Sequence, residues 1–247
     1  MDLVKENIDN LTSMWEIVNQ KAGVHQSEPS YDYGVVDYSE WPNKIWLHEE
    51  VNEKVLNETI EKMTSSQGKL TLPYWNTLEM DAGQWLASQP LEIKSEQLAM
   101  YLKLGTPPKD DGRLKLIKVT DTAAAILWEK LFQQAFGYQI SHKLIMLTHT
   151  DIDCFIAYKN EEAVGTAILH ANNHKVLGIH SMGIIPAMRR MGLAEQMMLL
   201  LLAKAVDKGY EYATLQASPM GKGLYEKLGF EEQFLLTNYA LKSQPNE

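Results

Sequence analysis

The segment Ile184-Ile185-Pro186-Ala187-Met188-Arg189-Arg190-Met191-Gly192-Leu193-Ala194 leaves this chain little freedom of fold. It follows the apolar run Val176–Ile185, which reads as a strand, and Pro186 ends that run because it cannot donate to a sheet ladder. It precedes a helix from Gly192 to about Lys208, stopped by Gly209. A strand that enters a helix through so tight a turn implies a sheet with helices packed on it. Consecutive backbone N–H groups open from the turn onto the helix N-terminus, where unpaired donors and the helix dipole favour an anion. Gly192 lets another group approach the backbone closely, and Arg189 and Arg190 add positive charge. Alone, the pattern R-x-x-G-x-A reads equally as a basic turn capping a helix.

The helix itself is unusual, because Met197–Ala203 is apolar all the way round. Such a helix is covered on more than one side. The sheet covers one face; the first part of the chain or a second subunit could cover the other, which admits a homodimer. Its seven-residue run is the longest apolar stretch in the chain, far short of the roughly 20 residues that span a bilayer. The N-terminus has no basic region leading into an apolar one, so no membrane attachment and a cytoplasmic location are expected. One cysteine, Cys154, excludes an internal disulfide framework and a multi-cysteine metal site, and no metal is expected. The formal charge of −9 argues against non-specific nucleic-acid binding.

That charge is unevenly placed along the 247 residues: 10 Lys and Arg against 19 Asp and Glu in residues 1–113, and 13 of each afterwards. Five of the six tryptophans (Trp15, Trp41, Trp46, Trp75, Trp85) also lie in the first part. Two compositions suggest two domains, 1–112 and 113–247. The boundary falls in Gly105-Thr106-Pro107-Pro108-Lys109-Asp110-Asp111-Gly112, where prolines and glycines disfavour helix and ladder alike.

In the second domain, Leu114–Val119 reads as a short strand and Ala123–Phe136 as a helix capped by Thr120 or Asp121. Cys154–Lys159 and Ala163–Ala171 read as strands. Asn172-Asn173 is a turn that returns the chain as Val176–Ile185 in a hairpin. Tyr212–Ala217 is a strand, Gly221–Leu228 a short helix stopped by Gly229, and Phe234–Leu241 the closing strand. This order mixes antiparallel and parallel pairing in one sheet.

A second motif follows the turn by about thirty residues: Ser218-Pro219-Met220-Gly221-Lys222-Gly223-Leu224-Tyr225-Glu226-Lys227-Leu228-Gly229-Phe230. Together, strand–R-x-x-G-x-A–helix and strand–LYEKLGF resemble the GNAT acetyltransferase superfamily, and residues 114–247 fit its element order. The resemblance implies an α/β (α+β) GNAT fold, a mixed central sheet flanked by helices. It implies acetyl-CoA as donor and direct acetyl transfer to an amine, on a small molecule or a peptide. Arg189 to Ala194 match the loop that wraps the CoA pyrophosphate, chiefly through the N–H groups of Arg190, Met191, Gly192, Leu193 and Ala194. Ala194 replaces the commoner glycine. Met182, Gly183 and Ile184 match the strand edge that pairs with the pantetheine arm, beside a bulge that splays the sheet. Ser218 stands where many members carry Asn.

Tyr225 matches the family's general acid, a hydroxyl that donates to the departing thiolate; as a residue alone, it reads as a packed helix aromatic. Amine activation also needs a proton acceptor. An alkylammonium of pKa near 10.4 is only about one part in 2,500 neutral at pH 7, a cost of about 4.6 kcal/mol. His180 shares a strand face with Met182 and Ile184 and lies where relatives that acetylate aralkylamines carry histidine, so it is the candidate base. A buried structural histidine is the alternative, with a water chain taking the proton. His170 and His174 read as solvated or structural.

The first domain looks like a worn copy of the same unit. Val51–Gln67 has helical apolar spacing, Leu70–Trp75 can be a strand, and Met80–Trp85 can be laid on Met220–Tyr225 with an offset of 140 residues. Leu98–Leu104 then resembles the closing strand. These parallels suggest tandem GNAT-like domains. The copy has no R-x-x-G-x-[G/A]; Trp46-Leu47-His48-Glu49-Glu50 stands there, and its acidic residues would repel CoA. An acidic, Trp-rich domain fits recognition of a cationic or aromatic acceptor, and equally a packing domain with a solvated face. A longer acyl-CoA donor, or acyl-CoA binding without catalysis, remains the alternative function.

Overall fold

The computed structural model describes residues 1–67, 69–77, 82–106 and 111–242. Among them no helix is long and apolar enough to cross a membrane. The first helix, α1 (Leu3–Ala22), starts where the Asp2 carboxylate accepts from the N–H groups of Val4 and Lys5. It leads to three short antiparallel strands, β1 (Val24–Ser27), β2 (Tyr31–Val35) and β3 (Lys44–Leu47). Then come α2 (Glu53–Ser65), β4 (Leu72–Asn76), α3 (Gly83–Ala87) and β5 (Leu91–Lys103). The second half runs β6 (Lys115–Lys118), α4 (Thr122–Phe136), α5 (His142–Thr148), β7 (Asp153–Lys159), β8 (Glu162–His170), β9 (Val176–Ile184), α6 (Leu193–Asp207), β10 (Tyr212–Ala217), α7 (Lys222–Lys227) and β11 (Glu231–Leu241).

The mixed central sheet has eight strands in the order β4-β11-β5-β10-β9-β8-β7-β6. β10 runs parallel to β9, and the other pairings are antiparallel. The Asp121 side chain caps α4 through the Ala124 N–H, and Gly137 ends that helix at φ +82°, a conformation that only glycine adopts at little cost. The turn Asn172-Asn173 joins β8 to β9, as the sequence indicates.

The halves repeat one order, helix–strand–short helix–long strand. α2, β4 and β5 begin at residues 53, 72 and 91, and α6, β10 and β11 begin at 193, 212 and 231. The spacing is thus the same 140 residues for all three. The repeats interlock. β5, from the first half, lies between β10 and β11 of the second; β11 lies between β4 and β5 of the first. The tandem architecture is one shared sheet. It also settles what covers the apolar α6: Leu98, Met100 and Leu102 of β5 join its cluster with Met197, Met198 and Leu201. The Met80–Asp81 part of the sequence alignment lies outside the described residues; the rest of that segment enters α3.

Candidate active site

Strand β9 is where the sheet opens. It pairs with β10 only from Val176 to Gly178, opposite Tyr212 to Thr214. Beyond Gly178, β10 continues alongside β5 as far as Ala217 opposite Leu98, while β9 stays with β8. The first-half strand thus carries β10 away from β9. A bulge accompanies the divergence: Thr166 pairs with Gly183 and Ile168 with His180, leaving one extra residue on β9. Ser181 lies there at φ +50°, and its carbonyl accepts from the buried Thr166 hydroxyl at 3.1 Å. The edge of β9 from Ile179 to Ile184, including Met182 and Gly183, therefore faces β10 without ladder partners there.

After β9, a 3₁₀ turn at Pro186–Met188 leads to Arg190 at φ +62° and Gly192 at φ +74°. Gly192 caps α6, and among the described residues no side chain caps its first turn. Leu193 is buried, Ala194 half-buried, and Arg190, Met191 and Gly192 are exposed. Arg189 does not aim its charge at this turn. Its guanidinium donates to the carbonyls of Ile184 at 3.1 Å and Ala135 at 2.8 Å, tying the end of β9 to α4. Besides the exposed Arg190, Arg113 reaches this turn, donating to the Met191 carbonyl at 3.4 Å while its guanidinium is paired with Asp111. Sequence reasoning missed Arg113 because it lies 78 residues away from its partner.

A cavity of about 800 Å³ lies on the opened sheet. Its walls include Ser181, Met182, Ser218 and Tyr225 from the second half, and Trp15, Trp41, Lys44 and Glu96 from the first. The Arg189–Ala194 turn is not among its walls. Tyr225 is 8% exposed, with its ring edge-on to Phe230, and burial pushes its hydroxyl up to about 12. It is therefore a protonated donor throughout the physiological range. Ser218 accepts from the Gly221 N–H, through both its carbonyl at 2.9 Å and its hydroxyl at 3.3 Å, and so shapes the entry into α7.

His180 lines the same cavity but offers no free nitrogen. Nε2 is 2.9 Å from Asn10 Oδ1 and Nδ1 is 3.2 Å from Gln216 Oε1, two acceptors of which a neutral ring donates to one. Burial, with His170 nearby, drives its pKa down to about 3. An imidazole so held cannot relieve an alkylammonium of its proton near neutral pH. The expectation of His180 as base thus meets the opposite geometry: α1 has been laid across the ring. Asn7 and Asn10 of that helix are fully buried. Asn10 also donates to the His170 carbonyl at 3.0 Å, while Gln216 donates to Asn7 at 2.7 Å. Gly178 makes room for this network, since a Cβ there would lie 1.9 Å from Asn10 Oδ1. His170 is structural, as the sequence reading allowed; it is 2% exposed and 2.9 Å from the Ser13 hydroxyl.

A splayed mixed sheet, a strand edge left open beside a bulge and a helix N-terminus without a side-chain cap stand together in the second half of the chain. Residues 123–230 match the model of the acetyltransferase (GNAT) family, and this part of the chain is a GNAT domain. Solved structures share the fold over nearly the whole length. A GCN5-related N-acetyltransferase from Kribbella flavida aligns with a TM-score of 0.71 at 13% identity, covering 98% of this chain and 95% of that one. One from Sphaerobacter thermophilus gives 0.64 at 12% identity, covering 88% and 79%. A tandem GNAT protein from the clavulanic acid biosynthesis pathway gives 0.59 at 11% identity, covering 88% and 79%. Comparison with curated protein sequences finds no match.

Proposed function

We propose that this protein is an acetyl-CoA-dependent N-acetyltransferase that transfers the acetyl group directly to an amine. The observation that carries the reading is the open β9 edge, with the uncapped α6 N-terminus after it and the Tyr225 hydroxyl on the cavity alongside. In this reading the pyrophosphate sits on the N–H groups of Arg190 to Ala194. The pantetheine arm runs along Met182–Ile184 and places the thioester near Ser181 and Tyr225. The amine nitrogen attacks the thioester carbonyl carbon, the C–S bond breaks, and Tyr225 donates a hydrogen bond as charge gathers on sulfur. A phenol at about 12 is a weaker acid than a thiol near 8.5. Its contribution is therefore hydrogen-bond stabilisation, while the proton lost by nitrogen passes to cavity water.

In this reading the first half is not a second CoA site. Its turn is acidic, and the space beside α2 and β4 is filled by Ile45, Leu56, Met63, Leu70 and Leu86, all buried. Trp15 and Trp46 both belong to the buried core, and Trp41, half-buried on the cavity wall, is the more open of the two tryptophans that line it. The test is release of free thiol from acetyl-CoA with a panel of polyamines, arylalkylamines, amino acids and peptides. Thiol release that depends on an amine supports the reading; acetyl-CoA that neither binds nor turns over refutes it.

A further inference from the structure

The cavity is longer than acetyl transfer to a small amine requires. Tyr225, Ser181 and Gln216 lie at the β9–β10 side. At the other side, across β5, lie Asn238 on β11 and, beyond that strand, Asn43, Lys44 and Thr71. Asn238 stands opposite Ser95, and Gln216 opposite Ala99, on the strand β5 between them. Two strand spacings sideways and four residues along put those backbones roughly 16 Å apart. Side chains occupy part of that span, leaving on the order of 10 Å between ligands at the two sides.

Lys44 is the distinctive group at the far side. Its Nζ donates to Asn238 Oδ1 at 2.6 Å and lies 5.5 Å from the Trp15 ring centroid. Among the described residues no carboxylate lies within 4 Å of it. The residue retains some exposure to the cavity while protein surrounds its head group, and this desolvation, with Lys94 nearby, lowers its pKa to about 7. The other charged groups around it are otherwise engaged or exposed. Lys69 is paired with Asp37, Glu40 accepts from the Gln139 N–H, and Lys94 and Glu96 of β5 are exposed. This head group, about half protonated at pH 7 and driven to the ammonium by a carboxylate placed beside it, has one neutral hydrogen-bond partner among the described residues and N–H donors left for an anion.

The geometry points to an elongated acceptor that presents its amine at the Tyr225 side and a terminal carboxylate, about 10 Å away, to Lys44. An α-amino acid is too short to reach both ends. A tripeptide with a free C-terminus, at about 3.4 Å per residue, is the right length. Recognition of a planar carboxylate also explains Asn238, whose oxygen fixes the ammonium and leaves the other two N–H groups directed elsewhere. This assignment rests on the transferase reading above.

The experiment compares matched acceptors: trialanine and its C-terminal amide, alanine and alaninamide, and ω-amino carboxylates of graded length with their carboxamides. Each is assayed with wild-type protein and Lys44→Gln, alongside acetyl-CoA binding. The expected result is a preference of about 10- to 100-fold in kcat/KM for the carboxylate over the amide in the acceptors of about 10 Å, as a charge-assisted hydrogen bond supplies. Lys44→Gln should lower kcat/KM for the carboxylates by about that factor and abolish the preference, with a smaller loss for the amides, and Lys44→Arg should retain part of it. Equal rates for carboxylate and amide in the wild type overturn the inference, as does an equal loss for both in Lys44→Gln. If acetyl-CoA binds but no carboxylated acceptor reacts, this inference fails and the donor site stands. If acetyl-CoA does not bind, the transferase reading itself fails.

Discussion

At Tyr225, burial raises the phenol to about 12, so the hydroxyl stays a donor wherever the fold survives. Tyr225→Phe keeps the ring packed against Phe230 and removes only that donor. It should lower kcat roughly 10²- to 10³-fold, with acetyl-CoA affinity, measured by calorimetry, nearly unchanged; a wild-type rate would move charge stabilisation elsewhere. At His180 the consequence is for stability. Its folded pKa of about 3 lies below the ordinary 6.5, so the unfolded chain binds the extra proton between those values. The contribution is complete above pH 6.5 and is lost as pH falls toward 3, at about 1.4 kcal/mol per pH unit. His170, lowered to about 4, acts in the same direction. Urea unfolding should therefore show stability falling from pH 6.5 to 4.5, with a shallower slope in His180→Gln; parallel slopes would contradict the buried neutral ring. Tyr225 was legible because a short motif fixes it on α7. Arg189 illustrates the opposite case, since the sequence shows its charge but not that Ile184 and Ala135 consume it. Lys44 and Asn10 carried no local signal, because each acts on a strand more than 150 residues away.

At the scale of elements, the turn before α6 is the most exposed test of the donor site. Gly192 holds φ +74°, and among the described residues no side chain caps the first turn after it. Gly192→Glu adds backbone strain and a negative charge, and acetyl-CoA affinity in calorimetry should fall by at least tenfold; retained affinity would remove the pyrophosphate from this turn. Gly178 is a packing counterpart. Gly178→Ala drives a methyl toward Asn10 and the His180 ring. It should lower the thermal midpoint by several degrees, in line with the 1–3 kcal/mol of an overpacked core. The hairpin, α6, β10 and α7 were readable from punctuation by Pro186, Gly209 and Gly229, and Tyr212–Ala217 falls on the observed strand. β5 begins seven residues before the sequence-based start at Leu98, because the exposed Glu92–Glu96 stretch gives no apolar alternation. α5 is too short for periodicity to declare itself. α1 does carry apolar spacing at Leu11, Trp15, Val18 and Ala22, yet its role depends on Asn7 and Asn10, which look like surface residues until the helix meets β9.

At the scale of the whole molecule, the compositional break near residue 112 and the shared sheet describe different things. Charge and tryptophan content follow the sequence halves, whereas hydrogen bonding exchanges β5 and β11 between them. Residues 113–247 expressed alone would leave β10 and β11 without the strand that joins them. Leu98, Met100 and Leu102 would also be missing from the α6 cluster. That fragment should fail to show a cooperative thermal transition or to bind acetyl-CoA, and adding residues 1–112 in trans should restore some of both. A fragment that folds and binds unaided would show β5 to be dispensable. The 140-residue repeat was visible in a single short alignment. The exchange was not, because strand order is set by pairing energetics that no local pattern encodes.

The interlock also sets a timetable for biosynthesis. β4 pairs with β11, with Leu72 opposite Tyr239, so the first half cannot complete its sheet until 167 more residues have been made. At roughly 5–20 residues per second, that is a wait on the order of ten to thirty seconds with strand edges unpaired. A protein whose two halves finish each other in this way holds β4 and β5 short of their partner until β11 has been made, and its folding yield should depend on what shields those strands in the interval.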